Sequence, residues 1–305
     1  MQKTPIIELK NLTKQYANFT AVDGVNLTVD EGSVFGFLGP NGAGKSTTIR
    51  MLLSLIKPTS GDIFVFGKNL QTNRNEILRE IGCIIEKPDF YLYLSAIKNL
   101  ELFARMNGIY PTKMQLEEMF ETVGLKGRER DSVKTYSHGM KQRLGIAQTL
   151  IHQPSLIVLD EPTTGLDPQG IIDLRNLILQ LQKKQGKTIV LSSHILSEIE
   201  LIADSMVIMN KGKALAQGKV SELLSHEDLI VTIEVQQAEN AKTILQESAW
   251  QKLVKTTDGN FIYMTLSKSE IPLFQKYLAE KEIAIYSLTY KRTLEDYFLK
   301  LTNPT

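Results

Sequence analysis

The chain has 305 residues, of which 42% are hydrophobic and 23% charged, and its formal net charge is +1. This length allows a sizeable core and suggests two domains. The balanced charge gives no broad basic surface for nucleic acid or anionic lipid. The single cysteine, Cys83, excludes an internal disulfide, and its apolar neighbours predict a small buried side chain. Apolar runs reach about half a dozen residues, short of the roughly 18 that span a bilayer, so direct membrane insertion is not expected.

Strand patterns dominate the first part of the chain. Residues 6–12 and 24–29 predict antiparallel strands joined by a turn over 18–23. Further apolar runs predict strands at 34–38, 63–67 and 81–85. Between about residues 95 and 150 the apolar side chains take helical spacing instead, which predicts a helical subdomain over about 88–150.

Strands return after the helical region. The apolar runs 155–159 and 188–192 flank a helical pattern over 168–185, which is a βαβ crossover. Those two strands should therefore be parallel and buried. The strands predicted at 206–209 and 213–216 are separated by a turn sequence and should form a hairpin.

The pattern changes again after about residue 225. Strands and helices are predicted in a βαββαβ order, with strands at 229–235, 253–255, 261–266 and 283–290 and helices at 238–247 and 268–280. We therefore expect two domains, one over 1–225 and a small α+β domain over 226–305.

A phosphate-binding motif follows the strand at 34–38. Residues 39–47 match G-x-x-x-x-G-K-[ST] and precede a helical pattern. Such a loop turns several N–H groups toward one anion, and the helix N-terminus adds partial positive charge. We expect Lys45 to reach the terminal phosphates and Ser46 to bind Mg²⁺. The alternative, a plain glycine-rich turn, is disfavoured because both flanks agree. The expected nucleotide-binding residues are Gly39, Pro40, Asn41, Gly42, Ala43, Gly44, Lys45, Ser46 and Thr47.

Two adjacent carboxylates end the strand at 155–159. In phosphate-loop enzymes an Asp at such a position helps to hold Mg²⁺, so Asp160 is the expected metal ligand and Glu161 the residue that polarises the attacking water. The alternative is a strand that ends in solvated acids. His194 follows the next parallel strand. A histidine alone at such a position would be interpreted as a helix-start residue bonded to the backbone. Its alignment with Asp160 and Glu161 at the same sheet edge instead predicts a role in the site.

Residues 5–225 resemble the ATP-binding subunits of ABC transporters. Residues 136–143 stand at the place of the family's LSGGQ signature, and Gly165-Leu166-Asp167 resembles its D-loop, which implies that Asp167 is a nucleotide-binding residue. His194 matches the switch histidine. Tyr16 matches the aromatic residue that stacks on adenine, although a surface aromatic in a turn is the alternative. The resemblance implies ATP and Mg²⁺ as cofactors. It also implies an α/β phosphate-loop ABC ATPase fold with a mixed sheet core, an antiparallel β subdomain and a helical subdomain, followed by the α+β domain.

The signature segment has its own physical logic. Ser137 is a predicted N-cap and Gly139 a small first-turn residue, and together they open a helix whose N-terminus can bind an anion. The resemblance implies that two ATPase subunits pair head to tail. Each ATP then lies between the Lys45 loop of one subunit and the Ser137 helix of the other, which is either an identical copy or a paralogous ATPase. His138 and Met140 depart from the family's usual Gly and Gln.

Glu86 is a further departure, because most family members have the glutamine of the Q-loop there. A carboxylate can still bind Mg²⁺ but adds negative charge beside the γ-phosphate. Ile85-Glu86-Lys87-Pro88 and Tyr136-Ser137-His138-Gly139-Met140 together resemble the bacitracin- and lantibiotic-resistance branch.

The function that the resemblance implies is an ATPase subunit, cytoplasmic and peripheral on the inner face of the membrane. It would drive export or removal of a small amphiphilic or peptide compound through a separate integral-membrane permease. Glu161 would serve as general base, His194 would steady the γ-phosphate and Lys45 would neutralise phosphate charge. The alternatives are an exporter for lipid, ion or polysaccharide, or a soluble non-transport ABC ATPase. No nucleic-acid partner is expected.

Overall fold

The computed structural model describes residues 5–225, 229–236, 238–246, 248–267 and 269–292. The chain divides into two compact units, Met1–Val220 and Ser221–Thr305. The predicted boundary, after residue 225, is a few residues later in the chain than this observed division. Residues 226–228 and 293–305 of the predicted second domain lie outside the described residues. No helix in the described ranges is both long and apolar enough to cross a membrane.

An antiparallel sheet opens the first unit. Its strands are β1 (Pro5–Tyr16), β2 (Phe19–Asp30), β4 (Ser60–Val65) and β5 (Lys68–Asn69), in the order β2-β1-β4-β5. The predicted antiparallel pair is confirmed, but its turn is at residues 17–18 and does not extend to residue 23. Backbone pairing continues to the end of the hairpin, where Tyr16 faces Phe19, and Val22 is fully buried. Asp23 and Gly24 are residue types typical of turns, but here they form an irregularity inside β2, between the paired residues Val22 and Val25.

A mixed six-stranded sheet forms the centre of this unit. Its order is β10-β9-β3-β8-β7-β6, and only β10 runs antiparallel to its neighbour. The strands β3, β7 and β8 are buried along their whole length, as expected for parallel strands covered on both faces. The predicted βαβ crossover and hairpin are confirmed. The strand bounds are β3 (Val34–Leu38), β6 (Ile81–Ile84), β7 (Leu156–Leu159), β8 (Thr188–Ser193), β9 (Ser205–Asn210) and β10 (Lys213–Lys219).

Cys83 is exposed, so the prediction of a buried cysteine is wrong. β6 is an edge strand, and its side chains alternate between two faces. Gly82 packs against the backbone oxygen of Thr149, whereas Cys83 points to the opposite, open face. The remaining desolvation is still enough to raise the pKa of its thiol.

Seven α-helices of the first unit surround these sheets within the described ranges, and an eighth, α8, spans the division between the two units. Several begin at side-chain caps: Ser95 for α3, Thr112 with Gln115 in a capping box for α4, and Ser137 for α5. The predicted helix over 168–185 is confirmed as α6. The bounds are α1 (Lys45–Leu52), α2 (Arg74–Arg79), α3 (Ala96–Met106), α4 (Lys113–Thr122), α5 (His138–Leu150), α6 (Pro168–Gln185), α7 (Leu196–Ile202) and α8 (Val220–Ser225).

The second unit follows the predicted βαββαβ order. Its antiparallel sheet, in the order β12-β13-β11-β14, buries alternate residues against two helices, with Phe274 at the centre of the core. The predicted helix ends at Glu247 and Lys268 lie outside the described residues. The bounds are β11 (Leu229–Val235), α9 (Ala238–Gln246), β12 (Val254–Asp258), β13 (Phe261–Leu266), α10 (Glu270–Glu280) and β14 (Ile285–Arg292).

Candidate active site

The carboxyl ends of β3, β6, β7 and β8 lie at one edge of the central sheet and open into a cavity of about 530 Å³. That volume is within the range of small-molecule sites, and this edge is where open α/β sheets bind ligands. The cavity is lined by Phe19, Ala21, Asn41, Gly42, Ala43, Gly44, Lys45, Ser46, Thr47, Glu86, Lys87, His138, Gln142, Asp160, Glu161, Thr164 and His194.

The loop between β3 and α1 requires its glycines. Gly44 has φ 102°, and a Cβ there would lie 2.6 Å from the backbone oxygen of Ala21. A Cβ on Gly39 would lie 2.4 Å from the backbone oxygen of Met209. The loop therefore packs tightly on its neighbours, and α1 begins at Lys45 with its N-terminus directed toward the cavity edge.

Lys45 is buried, and its ammonium is held by oxygen atoms. Its Nζ donates to the carbonyl oxygens of Gly39, at 2.7 Å, and Pro40, at 3.3 Å. It also lies 3.2 Å from Oε1 of Glu161. The Lys45 ammonium is thus surrounded by carbonyl and carboxylate oxygens. The sequence predicts the terminal phosphates of the nucleotide at this point, and phosphate oxygens can replace these partners.

Glu161 links the lysine to the histidine. Its second oxygen, Oε2, lies 2.7 Å from Nδ1 of His194. The residue has φ 49°, a left-handed conformation that is uncommon for glutamate and is found at functional sites where the surroundings impose it. The three predicted catalytic groups, Lys45, Glu161 and His194, are therefore in one continuous contact chain.

Asp160 lies beside Ser46, with 3.1 Å between Ser46 Oγ and Asp160 Oδ1. A carboxylate and a hydroxyl oxygen at this spacing fit a hard cation such as Mg²⁺, which commonly takes one or two carboxylates together with substrate phosphates. The buried hydroxyl of Ser192 also donates to Asp160 Oδ1, at 2.6 Å, and accepts from the backbone N–H of Glu161 at 2.8 Å. Sequence reasoning missed Ser192, whose signal is a hydroxyl at the end of an otherwise apolar strand.

Glu86 lines the same cavity but is paired elsewhere. Its Oε1 accepts from Nη2 of Arg50 on α1 at 2.8 Å. Its side chain is 74% exposed and its φ is 68°. The predicted role of Glu86 as a metal ligand stays a prediction.

The predicted signature helix, α5, begins at Ser137, whose Oγ accepts from the N–H of Met140 at 3.2 Å. Leu144, Ala147 and Leu150 form a buried apolar face of this helix. Just before it, burial raises the pKa of Tyr136 to about 12, and the neutral phenol donates to the carbonyl of Arg128. A Cβ on Gly139 would meet nothing closer than 3.9 Å, so no contact inside the chain requires glycine there.

Ser137 and Gly139 are not among the lining residues of the cavity, whereas their neighbours His138 and Gln142 are. His138 Nε2 lies 3.2 Å from the backbone oxygen of Thr164. Asp167, predicted to act at the nucleotide site, caps α6 by accepting from the N–H of Gly170 at 2.9 Å.

Tyr16 lies at the end of β1, half exposed, with Nζ of Lys14 4.9 Å from the centre of its ring. It is not one of the lining residues, but its hairpin partner Phe19 is. Sequence reasoning missed Phe19, although an aromatic residue in the same hairpin was its signal. The adenine-stacking role of Tyr16 stays a prediction.

Comparison with known proteins identifies the family. The ABC transporter profile matches residues 22–164. The chain is 42% identical to the bacitracin transport ATP-binding protein BcrA of Bacillus licheniformis over 297 residues, which cover 97% of each protein. The chain belongs to the ABC transporter family. Its identity to the lantibiotic transport ATP-binding protein SrtF of Streptococcus pyogenes is also 42%, over 212 residues that cover 70% of this chain and 90% of SrtF.

A solved structure has the same fold as this ABC subunit. It is the dimeric post-hydrolysis state of the ATP-binding cassette MJ0796 with ADP and Pi, matched with a TM-score of 0.62 and 25% identity over 70% of this chain and 98% of MJ0796. The predicted ABC ATPase fold and the predicted resemblance to the bacitracin and lantibiotic branch are confirmed. The chain is an ATP-binding, ATP-hydrolysing subunit that uses ATP and Mg²⁺, and subunits of this kind dimerise and work with a membrane permease.

Proposed function

We propose that this subunit powers export or removal of a small amphiphilic or peptide antibiotic, of the bacitracin or lantibiotic type, through a separate permease. The observation that carries the proposal is the 42% identity to a bacitracin transport ATP-binding protein over 97% of both chains. That match extends through the second unit. The lantibiotic transport relative supports the same substrate class.

In the proposed mechanism the amides of the loop at 39–47 and Lys45 hold the phosphates of ATP. Lys45 exchanges its carbonyl partners, Gly39 and Pro40, for phosphate oxygens. Ser46, Asp160 and Glu86 would hold Mg²⁺ through their side-chain oxygens, and the bound ion would neutralise charge on the phosphates.

Glu161 accepts the proton of the attacking water in this mechanism. Its contact with His194 holds the carboxylate in the cavity, and His194 steadies the γ-phosphate. Catalysis of this kind depends on positioning and electrostatic stabilisation rather than on covalent chemistry.

A second ATPase subunit, identical or paralogous, completes each site. The N-terminus of α5, with Ser137 and Gly139, caps the nucleotide of the opposite subunit, and Asp167 lies in the same interface. The free space around Gly139 supports this arrangement, because the absence of a side chain there serves no packing inside one chain. Tyr16 stacks on the adenine. The pair is cytoplasmic and attaches to the inner face of the membrane through the permease, without nucleic acid and without inserting itself.

The proposal is tested by expressing the tagged chain with the membrane protein that co-purifies with it in a peptide-sensitive host. Tolerance to bacitracin and to a lantibiotic should rise, and Glu161→Gln should abolish the rise at equal protein level. Unchanged tolerance to both peptides, with ATP hydrolysis intact, would overturn the substrate class but leave the ATPase assignment in place.

A further inference from the structure

A carboxylate outside the predicted site joins its two catalytic loops. Oε2 of Glu198, on α7, accepts from the hydroxyl of Thr163 at 2.7 Å and from the hydroxyl of Ser193 at 2.6 Å. Thr163 lies two residues after Glu161, and Ser193 lies directly before His194. One oxygen therefore ties together the segments that present the proposed general base and the proposed switch histidine.

The hydroxyl of Ser193 also shapes the backbone that presents the histidine. Ser193 is buried, and besides donating to Glu198 it accepts from the N–H of Ile195 at 2.9 Å. This local hydrogen bond closes a turn around His194. The direction of the imidazole thus depends on where Ser193 Oγ is held.

The other loop is organised in a similar way. The backbone oxygen of Thr163 accepts from the N–H of Leu166, and the N–H of Thr164 donates to the backbone oxygen of Glu161 at 3.2 Å. Thr163 therefore lies in the turn that starts at Glu161. Fixing its hydroxyl to Glu198 fixes that turn against α7.

Glu198 stands on a rigid support. The next residue, Ile199, is fully buried, and a Cβ added to Gly36 of β3 would lie 2.6 Å from its side chain. Such close packing leaves α7 little freedom to shift along the sheet. The hydroxyls of Thr163 and Ser193 both donate to the partly buried carboxylate of Glu198. Hydrogen bonds to a carboxylate are stronger than those between two neutral groups.

We infer that Glu198 is a positioning residue that sets the contact between Glu161 and His194 through the hydroxyls of Thr163 and Ser193. The inference rests on the proposed roles of Glu161 and His194. Glu198 itself touches neither nucleotide nor water in this role. A different explanation is that Glu198 only stabilises the first turn of α7, where an acidic side chain is favourable.

Kinetics of the full-length chain separate the two explanations. Glu198→Ala should lower kcat about 10- to 100-fold, since small misplacements of reacting groups have effects of that size. KM for ATP should stay within about threefold, because the phosphate loop is untouched. Glu200→Ala, on the same helix, is the matched control and should leave both constants unchanged. A normal kcat in folded Glu198→Ala would overturn the inference.

The conservative variant tests position against charge. Both hydroxyls donate to the same oxygen, so the amide oxygen of Glu198→Gln can accept from both, and kcat should stay within about threefold of the unmodified chain. If Glu198→Gln is as slow as Glu198→Ala, the negative charge itself is required and the positioning role is wrong.

The donors provide a test that does not depend on the folding of Glu198→Ala. Thr163→Val and Ser193→Ala should each lower kcat, and Glu198→Gln added to the pair should have little further effect, because the partners of its oxygen are already gone. If Thr163→Val and Ser193→Ala both retain normal kcat, the inference fails.

A spectroscopic readout separates this inference from the proposed function. The chain has four histidines, so the ¹⁵N signals of the His194 ring can be assigned by comparison with His194→Gln. Those signals should move in Ser193→Ala and Glu198→Ala and stay in place in Glu200→Ala. Unmoved signals, with Glu161→Gln inactive, would overturn the inference alone. Displaced signals, with Glu161→Gln fully active, would overturn the base assignment alone.

Discussion

At the scale of single residues, Glu161 is held from both sides, by Lys45 through one carboxylate oxygen and by His194 through the other. The position of the carboxylate is therefore set by the protein before any nucleotide arrives. A base that is already oriented avoids the cost of ordering during the reaction.

Glu161→Gln should bind ATP, hydrolyse it about 10²- to 10⁴-fold more slowly, and dimerise in the presence of ATP. The amide keeps the size of the side chain but cannot take a proton from water. Phosphate release and light scattering with ATP measure the two effects, and Glu200→Gln serves as the control. Near-normal turnover in Glu161→Gln would remove this residue from the role of base.

Ser192 supports both carboxylates of the site. Ser192→Ala removes a donor to Asp160 and leaves the partly buried N–H of Glu161 without its acceptor. An unsatisfied buried group costs about 1–3 kcal/mol, so the free energy of unfolding in urea should fall by that amount. The Mg²⁺ concentration for half-maximal hydrolysis should also rise. Ser155→Ala, at the exposed residue just before β7, should change neither quantity. Equal stability of both variants would contradict the supporting role of Ser192.

At the scale of elements, α5 contains two glycines with different surroundings. A Cβ on Gly145 would lie 2.7 Å from the ring of Pro88, whereas the nearest atom to one on Gly139 would be 3.9 Å away. Gly145 is therefore needed for packing within the chain. Packing within the chain does not require a glycine at position 139. In the proposed arrangement, its small size is explained by a contact with another subunit.

Gly139→Ala should fold normally and fail to pair. Alanine favours a helix over glycine by about 1 kcal/mol, so the melting temperature should stay the same or rise. The added methyl group should nevertheless weaken ATP-dependent dimerisation, measured by light scattering in the Glu161→Gln background. Gly145→Ala is the comparison, with a lowered melting temperature. A Gly139→Ala chain that dimerises normally would argue against α5 as the cap of a facing nucleotide.

The sequence predicts most elements of this fold because long apolar runs and caps are local signals. The helix over 168–185 is an example, with Asp167 as its N-cap and Gly186 as its C-cap. The features that were missed depend on distant neighbours. Cys83 is exposed because β6 is an edge strand, and Ser192 matters because Asp160 lies on the adjacent strand. Neither fact is contained in the residues around those positions.

At the scale of the whole molecule, a single copy contains only part of the proposed machinery. Its cavity brings together the phosphate loop, both carboxylates and His194, while Ser137 and Gly139 are not among the lining residues. Glu86 is bound to Arg50 at the cavity wall. An exposed pair of this kind contributes little to stability, so it can open at small cost when a second subunit and a permease bind.

Glu86→Gln should keep ATP hydrolysis and change its coupling to transport. The amide can still reach Mg²⁺, but it loses the charge that attracts Arg50, so the loop at residue 86 should respond differently to the permease. Hydrolysis by the isolated chain should stay within about threefold, while the stimulation of hydrolysis by peptide in the permease complex should change. Arg50→Gln is the matched variant, because it breaks the same pair from the other side and should alter stimulation in the same direction. If stimulation is unchanged in both variants, the pair has no part in coupling and the acid at position 86 is incidental.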